Sequence, residues 1–361
     1  MAAGLGIRLG NLMKTTVCKL HGKHDVRLEK EEVDDLTTGA VRVSSVTGGI
    51  CGSDLHYYHE GGFGPIRVRH PITVGHEASG RIAEVGPGVD NVKVGDLVAL
   101  NPSRPCMTCK FCERGELVHC LEMQFSGSAY RDPHENGFFR GTLVLPAVQT
   151  HRFSSEVSPS AAACTEPLSV CLHARAQAPD LTGLRVLVTG SGPIGILCAA
   201  VAKHGGASEI VVTDLEDAPL AVARQMGATD TVNVRRAPDG LGKWQFDKGL
   251  FDVVFECSAA PPAIKSALTA LRPRGTMVMV GVTGDASVPI NLIVSKEIKV
   301  AGTHRFHEEF AQAVAVINSG EIDLGPLVSH TYDPADIEEA YATASDRTKS
   351  VKVHVAFAAE D

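Results

Sequence analysis

The sequence predicts an α/β chain in two parts: a compact β-barrel-like region, then a doubly wound parallel sheet with helices on its faces. Three observations carry this. Residues 16–144 read as short strands divided by Gly and Pro, the texture of a small barrel. From about residue 181 strands alternate with helix-length segments, which implies parallel pairing through crossover helices. A length of 361 residues is enough for two separate cores.

In the first part, 41–43, 80–85 and 96–100 are strand-like, with turns at Gly86-Pro87-Gly88 and Val94-Gly95-Asp96. Residues 53–59 have room for one or two helical turns leading away from Cys51. In the second part, Arg185–Thr189 is a short apolar strand, followed by a glycine loop and a helix over Pro193–His204. The next strand, 209–213, ends at Asp214, and a helix over 219–226 closes at Gly227, a residue suited to the left-handed turn past a helix end. Phe251–Glu256 and 276–280 are further strands, with a helix over 262–271 between them. Beyond about residue 303 the chain returns to helix and short strand and ends in the β run 350–357.

The formal net charge is −8 and no block of Lys and Arg occurs, which argues against nucleic acid or an acidic membrane surface as partner. Apolar runs such as 185–189 and 276–282 are far too short to span a bilayer. Residues 1–12 are Gly-rich, lack the continuous apolar core of a secretion signal, and read as a disordered tail or an early start ahead of Met13. The ten cysteines have no secretory context, and four crowd too closely for a disulfide framework, so a reducing cytoplasmic compartment is expected. Of the rest, Cys18, Cys164, Cys171, Cys198 and Cys257 lie in apolar or helical surroundings and read as packing residues.

The four crowded cysteines are the strongest chemical signal. Cys106, Cys109, Cys112 and Cys120 fall within fifteen positions, a spacing that forms a closed tetrahedral zinc site. Four thiolates leave no open position, so this metal would hold a lobe in shape and add folding free energy to it. A second group has the ligand types of an open zinc site: Cys51 and His76, with Glu77 and Glu166 competing for the remaining position, one of them through the metal-bound water. The alternative for Glu77, and equally for Asp54, is a carboxylate that orients His76.

The third signal is Gly190-Ser191-Gly192-Pro193-Ile194-Gly195, which follows an apolar strand and opens a helix. Glycines let backbone amides approach a pyrophosphate, and the helix N-terminus adds favourable partial charge. Asp214 ends the following strand, placed to accept from ribose hydroxyls, and Val280 and Val282 count with these as candidate cofactor contacts. Glu216 and Asp217 come next with no adjacent Lys or Arg, so a 2′-phosphate would meet three acids and NAD is expected over NADP.

Gly75-His76-Glu77, the Cys106–Cys120 cluster, Glu166-Pro167 and the glycine loop together resemble the zinc-containing medium-chain dehydrogenase/reductase family from about Lys14 to Phe357. The resemblance implies a GroES-like β-barrel catalytic domain built from 13–165 and 304–361, with a Rossmann coenzyme domain, 166–303, between. It also implies one catalytic and one structural zinc per chain, and a homo-oligomer, a tetramer with a dimer as the alternative. Residues 51–57, Glu166 and His304-Arg305-Phe306 look like the polyol dehydrogenase branch, and residues 125–138 are similar to its L-idonate 5-dehydrogenases. The implied reaction is oxidation of a secondary alcohol of a linear sugar acid or polyol. L-idonate oxidised at C5 to 5-keto-D-gluconate leads, with sorbitol, xylitol or arabinitol as the alternative. In that scheme zinc lowers the pKa of the alcohol, hydride passes to the nicotinamide, Ser53 takes the hydroxyl proton and His56 passes it toward solvent. Tyr57, Phe125, Glu166 and Arg305 match substrate-lining positions, and Arg131 and His134 are candidate helpers with a sugar acid. Pro219 departs from the pattern, standing where a basic residue often follows the ribose-binding acid by five positions. A non-catalytic dinucleotide-binding protein is the reading from another class, opposed by the retained set of Cys51, Ser53, His76 and Glu166.

Overall fold

The computed structural model describes residues 13–154, 156–282 and 284–359, so the reading of residues 1–12 lies outside the described residues. Two large sheets organise the molecule. The first has seven strands in the order Thr150–Arg152, Leu97–Leu100, Glu77–Val85, Ala40–Gly49, Lys352–Ala356, Val328–Tyr332, with Thr142–Pro146 pairing beside Ala40–Gly49. It is antiparallel apart from the last pair.

One strand holds this sheet together. The first half of Ala40–Gly49 pairs with Thr142–Pro146, and its last residues, Thr47 to Gly49, pair with Ala356 to His354. The change of partner falls at Ser45, whose positive φ of 50° bends the strand where the ladder to Glu77–Val85 also shifts register. The far end of the chain is thereby stitched to its beginning. A three-stranded sheet of Asp25–Glu32, Lys14–Gly22 and Ile72–Thr73 covers one side.

The second sheet is wholly parallel, in the order Asp230–Asn233, Glu209–Asp214, Arg185–Thr189, Phe251–Glu256, Leu271–Met279, Lys299–Gly302. Its central strands are apolar and buried on both faces: Val186, Leu187 and Val188 are inaccessible, as are Val253 and Val254. The strand order reverses between Arg185–Thr189 and Phe251–Glu256, and ligands bind doubly wound sheets in the crevice such a reversal leaves.

Element ends differ from the sequence expectations for local reasons. The helix at Cys51 runs the full nine residues Gly52–Glu60, because Cys51 and Asp54 cap it and Gly61 closes it left-handed. The helix expected over 219–226 is Asp217–Gln225; it begins beyond Glu216 and is capped by Met226, with Gly227 at φ +132° one residue later. The strand expected over 276–280 reaches back to Leu271, where it pairs with Phe251 before a register shift.

The two sheets are joined by the helix Thr165–Ala176, which packs on Pro193–His204 and Glu309–Ser319. Its first turn carries Glu166. No helix among the described residues is long and apolar enough to cross a membrane.

The turn from Arg185–Thr189 into Pro193–His204 leaves no room for a side chain at its last glycine: a Cβ on Gly195 would lie 1.9 Å from the Gly190 carbonyl oxygen. Gly195→Ala is therefore expected to push helix and loop apart. It should cost about 1–3 kcal/mol in urea unfolding and weaken NADH binding by fluorescence titration.

Candidate active site

Cys51 is the N-cap of Gly52–Glu60, held there by its own N–H donating to Asp54 Oδ2 at 3.0 Å. His76 follows Gly75, whose φ of +90° and contact with Phe139 (2.0 Å from a would-be Cβ) admit no side chain. Glu77 opens the next strand. The helix cap and the tight turn bring Cys51 Sγ, a His76 nitrogen and a Glu77 oxygen within 4.8 Å of one another. Asp54 is fully buried; its Oδ1 lies 3.8 Å from His76 Nδ1 and has no hydrogen-bond partner among the described residues.

The electrostatics of this group favour a cation. Burial works against a protonated His76, yet Cys51 and Asp54 outweigh it and hold the imidazole well above its ordinary pKa. Glu166 stands at the edge of the trio, where burial lifts its carboxyl to about 7 while His76 opposes the rise and Glu77 adds to it. A half-buried thiol beside a buried imidazole and carboxylate, a set that stabilises positive charge, fits a zinc ion.

Sequence reading missed the residue behind this trio. Lys352 Nζ donates to both Glu77 oxygens, at 2.9 and 2.6 Å, and to the Ile50 carbonyl at 3.1 Å. Both side chains of the pair are only 2% exposed. His354 and Cys164 lie against it, 3.8 Å apart, and burial beside Lys352 drives the His354 imidazole down to about 3. The available signal was a lysine and a histidine alternating with valines in the terminal strand. With Lys352 on it, Glu77 can still serve a metal, but it is first half of a buried ion pair.

The other four cysteines also meet. Cys106, Cys109, Cys112 and Cys120 offer ligand atoms within 4.8 Å of one another, with sulfur separations of 3.6 Å (Cys109 to Cys112) and 4.0 Å (Cys106 to Cys112). Backbone amides point at the sulfurs: Cys106 N–H donates to Cys120 and Leu121 N–H to Cys109. Donation from the Thr108 amide and hydroxyl lowers the Cys106 thiol to about 6. This too fits zinc.

Between the two groups lies the candidate substrate wall. The Arg305 guanidinium sits 3.8 Å over the Phe125 ring, and Phe125 in turn lies 5.6 Å from the His76 ring. Arg305 takes a left-handed backbone (φ +51°); burial lowers its guanidinium from the ordinary value, and Glu166 and Tyr57 oppose that shift. Tyr57 is buried, its hydroxyl accepting from Ala129 N–H at 3.2 Å. Tyr57, Phe125, Glu166 and Arg305 thus converge. Arg131 and His134 turn to other partners: Arg131 pairs with Glu122 and Glu135, and His134 Nε2 accepts from Arg69 N–H. His56 is partly exposed, 3.0 Å from Glu60 and packed on Phe63, one turn along the helix from Ser53.

At the glycine loop Gly190 has φ +86°, Gly192 caps Pro193–His204, and Ile194 and Gly195 enter the helix. Val280 donates its N–H to the Glu256 carbonyl beside this loop, while Val282 is 66% exposed. Glu256, also missed, is fully buried at the sheet reversal and accepts from Thr189, Ser258 and Ala259, tying the adjoining loops. Cys171, Cys198 and Cys257 pack beneath the loop, Cys171 donating to the Ile194 carbonyl. Asp214 is in place at its strand end, accepting from Ser191 N–H at 2.6 Å. One expectation needs correction: the three acids at the ribose end do not stand alone. Arg347 pairs with Asp214 (2.8 Å), Arg235 with Glu216 (2.7 Å), and Arg236 with Asp217. These arginines come from distant chain positions, so adjacency in sequence could not reveal them.

Comparison with known proteins agrees with this geometry. Residues 37–155 match the alcohol dehydrogenase GroES-like domain and residues 193–319 the zinc-binding dehydrogenase family. The L-idonate 5-dehydrogenase (NAD(P)(+)) of Escherichia coli is 38% identical over 96% of this chain and 99% of that protein. The chain belongs to the zinc-containing medium-chain dehydrogenase/reductase family. Bacillus subtilis sorbitol dehydrogenase is 34% identical over 92% of this dehydrogenase and 93% of its own length. The crystal structure of E. coli L-idonate 5-dehydrogenase superposes with a TM-score of 0.91, covering 96% of this chain and 99% of that one. This dehydrogenase is a zinc-containing, NAD(P)-dependent oxidoreductase.

Removing Lys352 leaves Glu77 charged, buried and alone. Lys352→Met is expected to cost about 3–5 kcal/mol in urea unfolding, and adding Glu77→Gln to it should recover much of the loss.

Proposed function

We propose that this dehydrogenase oxidises a secondary alcohol of a linear sugar acid, with L-idonate, oxidised at C5 to 5-keto-D-gluconate, as the leading substrate. The observation that carries this is Arg305, its fork held over Phe125 beside Tyr57 and Glu166 at the edge of the metal trio. A guanidinium so fixed binds a carboxylate through two parallel hydrogen bonds. The same fork donates to hydroxyls, and the likeness to a sorbitol dehydrogenase supports neutral polyols as the second reading.

In this reading Cys51 and His76, with Glu77 or Glu166, hold a catalytic zinc, and Cys106, Cys109, Cys112 and Cys120 hold a structural one. Zinc bound at the first site supplies Lewis acidity to a hydroxyl, and the nicotinamide supplies the hydride acceptor. Asp54 keeps Cys51 and His76 in position through the helix cap. Ser53 accepts the hydroxyl proton and His56 delivers it to solvent, a role supported by its partial exposure and its contact with Glu60. Glu166, its carboxyl near 7, can hold or release a proton at neutral pH beside the reacting alcohol. The Gly190–Gly195 loop carries the pyrophosphate, with Asp214, Val280 and Val282 along the cofactor.

Residues 13–165 with 304–361 would form the catalytic unit and 166–303 the coenzyme unit. A homo-oligomer, tetramer or dimer, is supported by apolar side chains exposed on the edge strand Lys299–Gly302 (Val300) and on the helix Ile290–Ser295 that precedes it (Ile290 and Val294). Ten unpaired cysteines suit a reducing, cytoplasmic setting.

Initial rates of NADH formation with L-idonate, sorbitol and xylitol at matched concentrations test the assignment. L-idonate should lead, and Arg305→Ala should lower its kcat/KM by about tenfold or more, the scale of one lost charged hydrogen bond. Preference for the neutral polyols would select the second reading. Cys51→Ser and His76→Ala are expected to remove nearly all turnover; a Cys51→Ser enzyme with most of its activity would sink the zinc scheme.

A further inference from the structure

The ribose end of the dinucleotide site contains a residue that no motif predicts. Arg347 lies in the turn between the helix Ile337–Ser345 and the strand Lys352–Ala356, on the seven-stranded side of the molecule. Its guanidinium crosses the cleft: Nη2 donates to Asp214 Oδ2 at 2.8 Å, and both terminal nitrogens lie 3.8 to 3.9 Å from where a Cβ on Gly192 would be. It therefore stands over the middle glycine of the loop and the acid that ends the neighbouring strand.

Asp214 has no acceptor site to spare. Its Oδ1 accepts from Leu215 N–H at 2.7 Å and Glu216 N–H at 3.0 Å, and its Oδ2 from Ser191 N–H at 2.6 Å and from Arg347. Four bonds are what a carboxylate accommodates. Three of these donors are backbone amides of fixed loops. The fourth is a side chain 51% exposed, and the one that can leave. A ribose 2′-hydroxyl can reach Asp214 only by displacing it. A 2′-phosphate has no need to: it can be met by the guanidinium itself, with the carboxylate already neutralised.

We propose that Arg347 sets the cofactor selectivity of this site, admitting NADP(H) by covering Asp214 and competing with NAD(H) for the same carboxylate. This rests on the dinucleotide reading above. The pairs Arg235–Glu216 and Arg236–Asp217 extend the neutralised surface, so the three acids together do not repel a phosphate.

The test is direct binding, without turnover: titrate NADH and NADPH into the zinc-loaded protein and follow nicotinamide fluorescence. The wild type should bind both. Arg347→Gln should raise the Kd for NADPH by about tenfold or more, as expected for a lost charged hydrogen bond, and lower that for NADH. Arg347→Lys, which keeps the charge, should restore most of the NADPH affinity. Equal weakening of both cofactors, no change in either, or a wild type that binds NADH alone would each overturn the proposal. A wild type that binds neither cofactor would instead overturn the dinucleotide site.

Discussion

The arrangement of the active site depends on one buried ion pair. Lys352 and Glu77 are 275 positions apart in sequence and both nearly inaccessible to water. Neither charge is tolerable there without the other, since removing an ion from water costs several kcal/mol that only a close partner offsets. Because Lys352 belongs to the strand that pairs with Thr47–Gly49, and Glu77 to the strand on the other side of it, the pair locks the last strand of the chain to the floor beneath Cys51 and His76. Ile50, whose carbonyl takes a further bond from Lys352, precedes Cys51 directly. Pair, strand order and ligand position are one constraint.

The cofactor side follows a similar logic with softer contacts. Glu256 fastens the loops at the sheet reversal through uncharged donors, and Asp214 draws in the amides of its own turn and of Ser191. These bonds shape the crevice before any ligand arrives. Arg347 adds a contact that joins the crevice to the seven-stranded half; Asp214 is buried, but the arginine itself is half exposed and free to swing away into water. A rigid floor under the candidate metal ligands and a displaceable bridge over the candidate ribose acid would suit a site that holds its ligands still while exchanging cofactor.

Much of the candidate site was legible in the sequence because its candidate ligands are local. The four cysteines of 106–120 and the Gly190–Gly195 loop are short-range patterns whose chemistry follows from residue type and spacing. Cys51 and His76 were legible only as candidates; their meeting depends on a helix cap and on a left-handed glycine that no spacing rule connects. Arg131 and His134 looked apt for a sugar acid by composition, yet neighbouring acids and a backbone amide occupy them.

By itself, then, the sequence determined the parallel sheet, the barrel-like texture, the cysteine cluster and the glycine turn into the helix, since each is written in hydrophobic period or in residues a few positions apart. Only the tertiary structure decided that Glu77 is bound to Lys352, that Arg305 lies on Phe125 beside Glu166, and that three arginines cover the acids at the ribose end. Charges act over a few ångströms of space, and the chain brings such partners together from tens or hundreds of residues away.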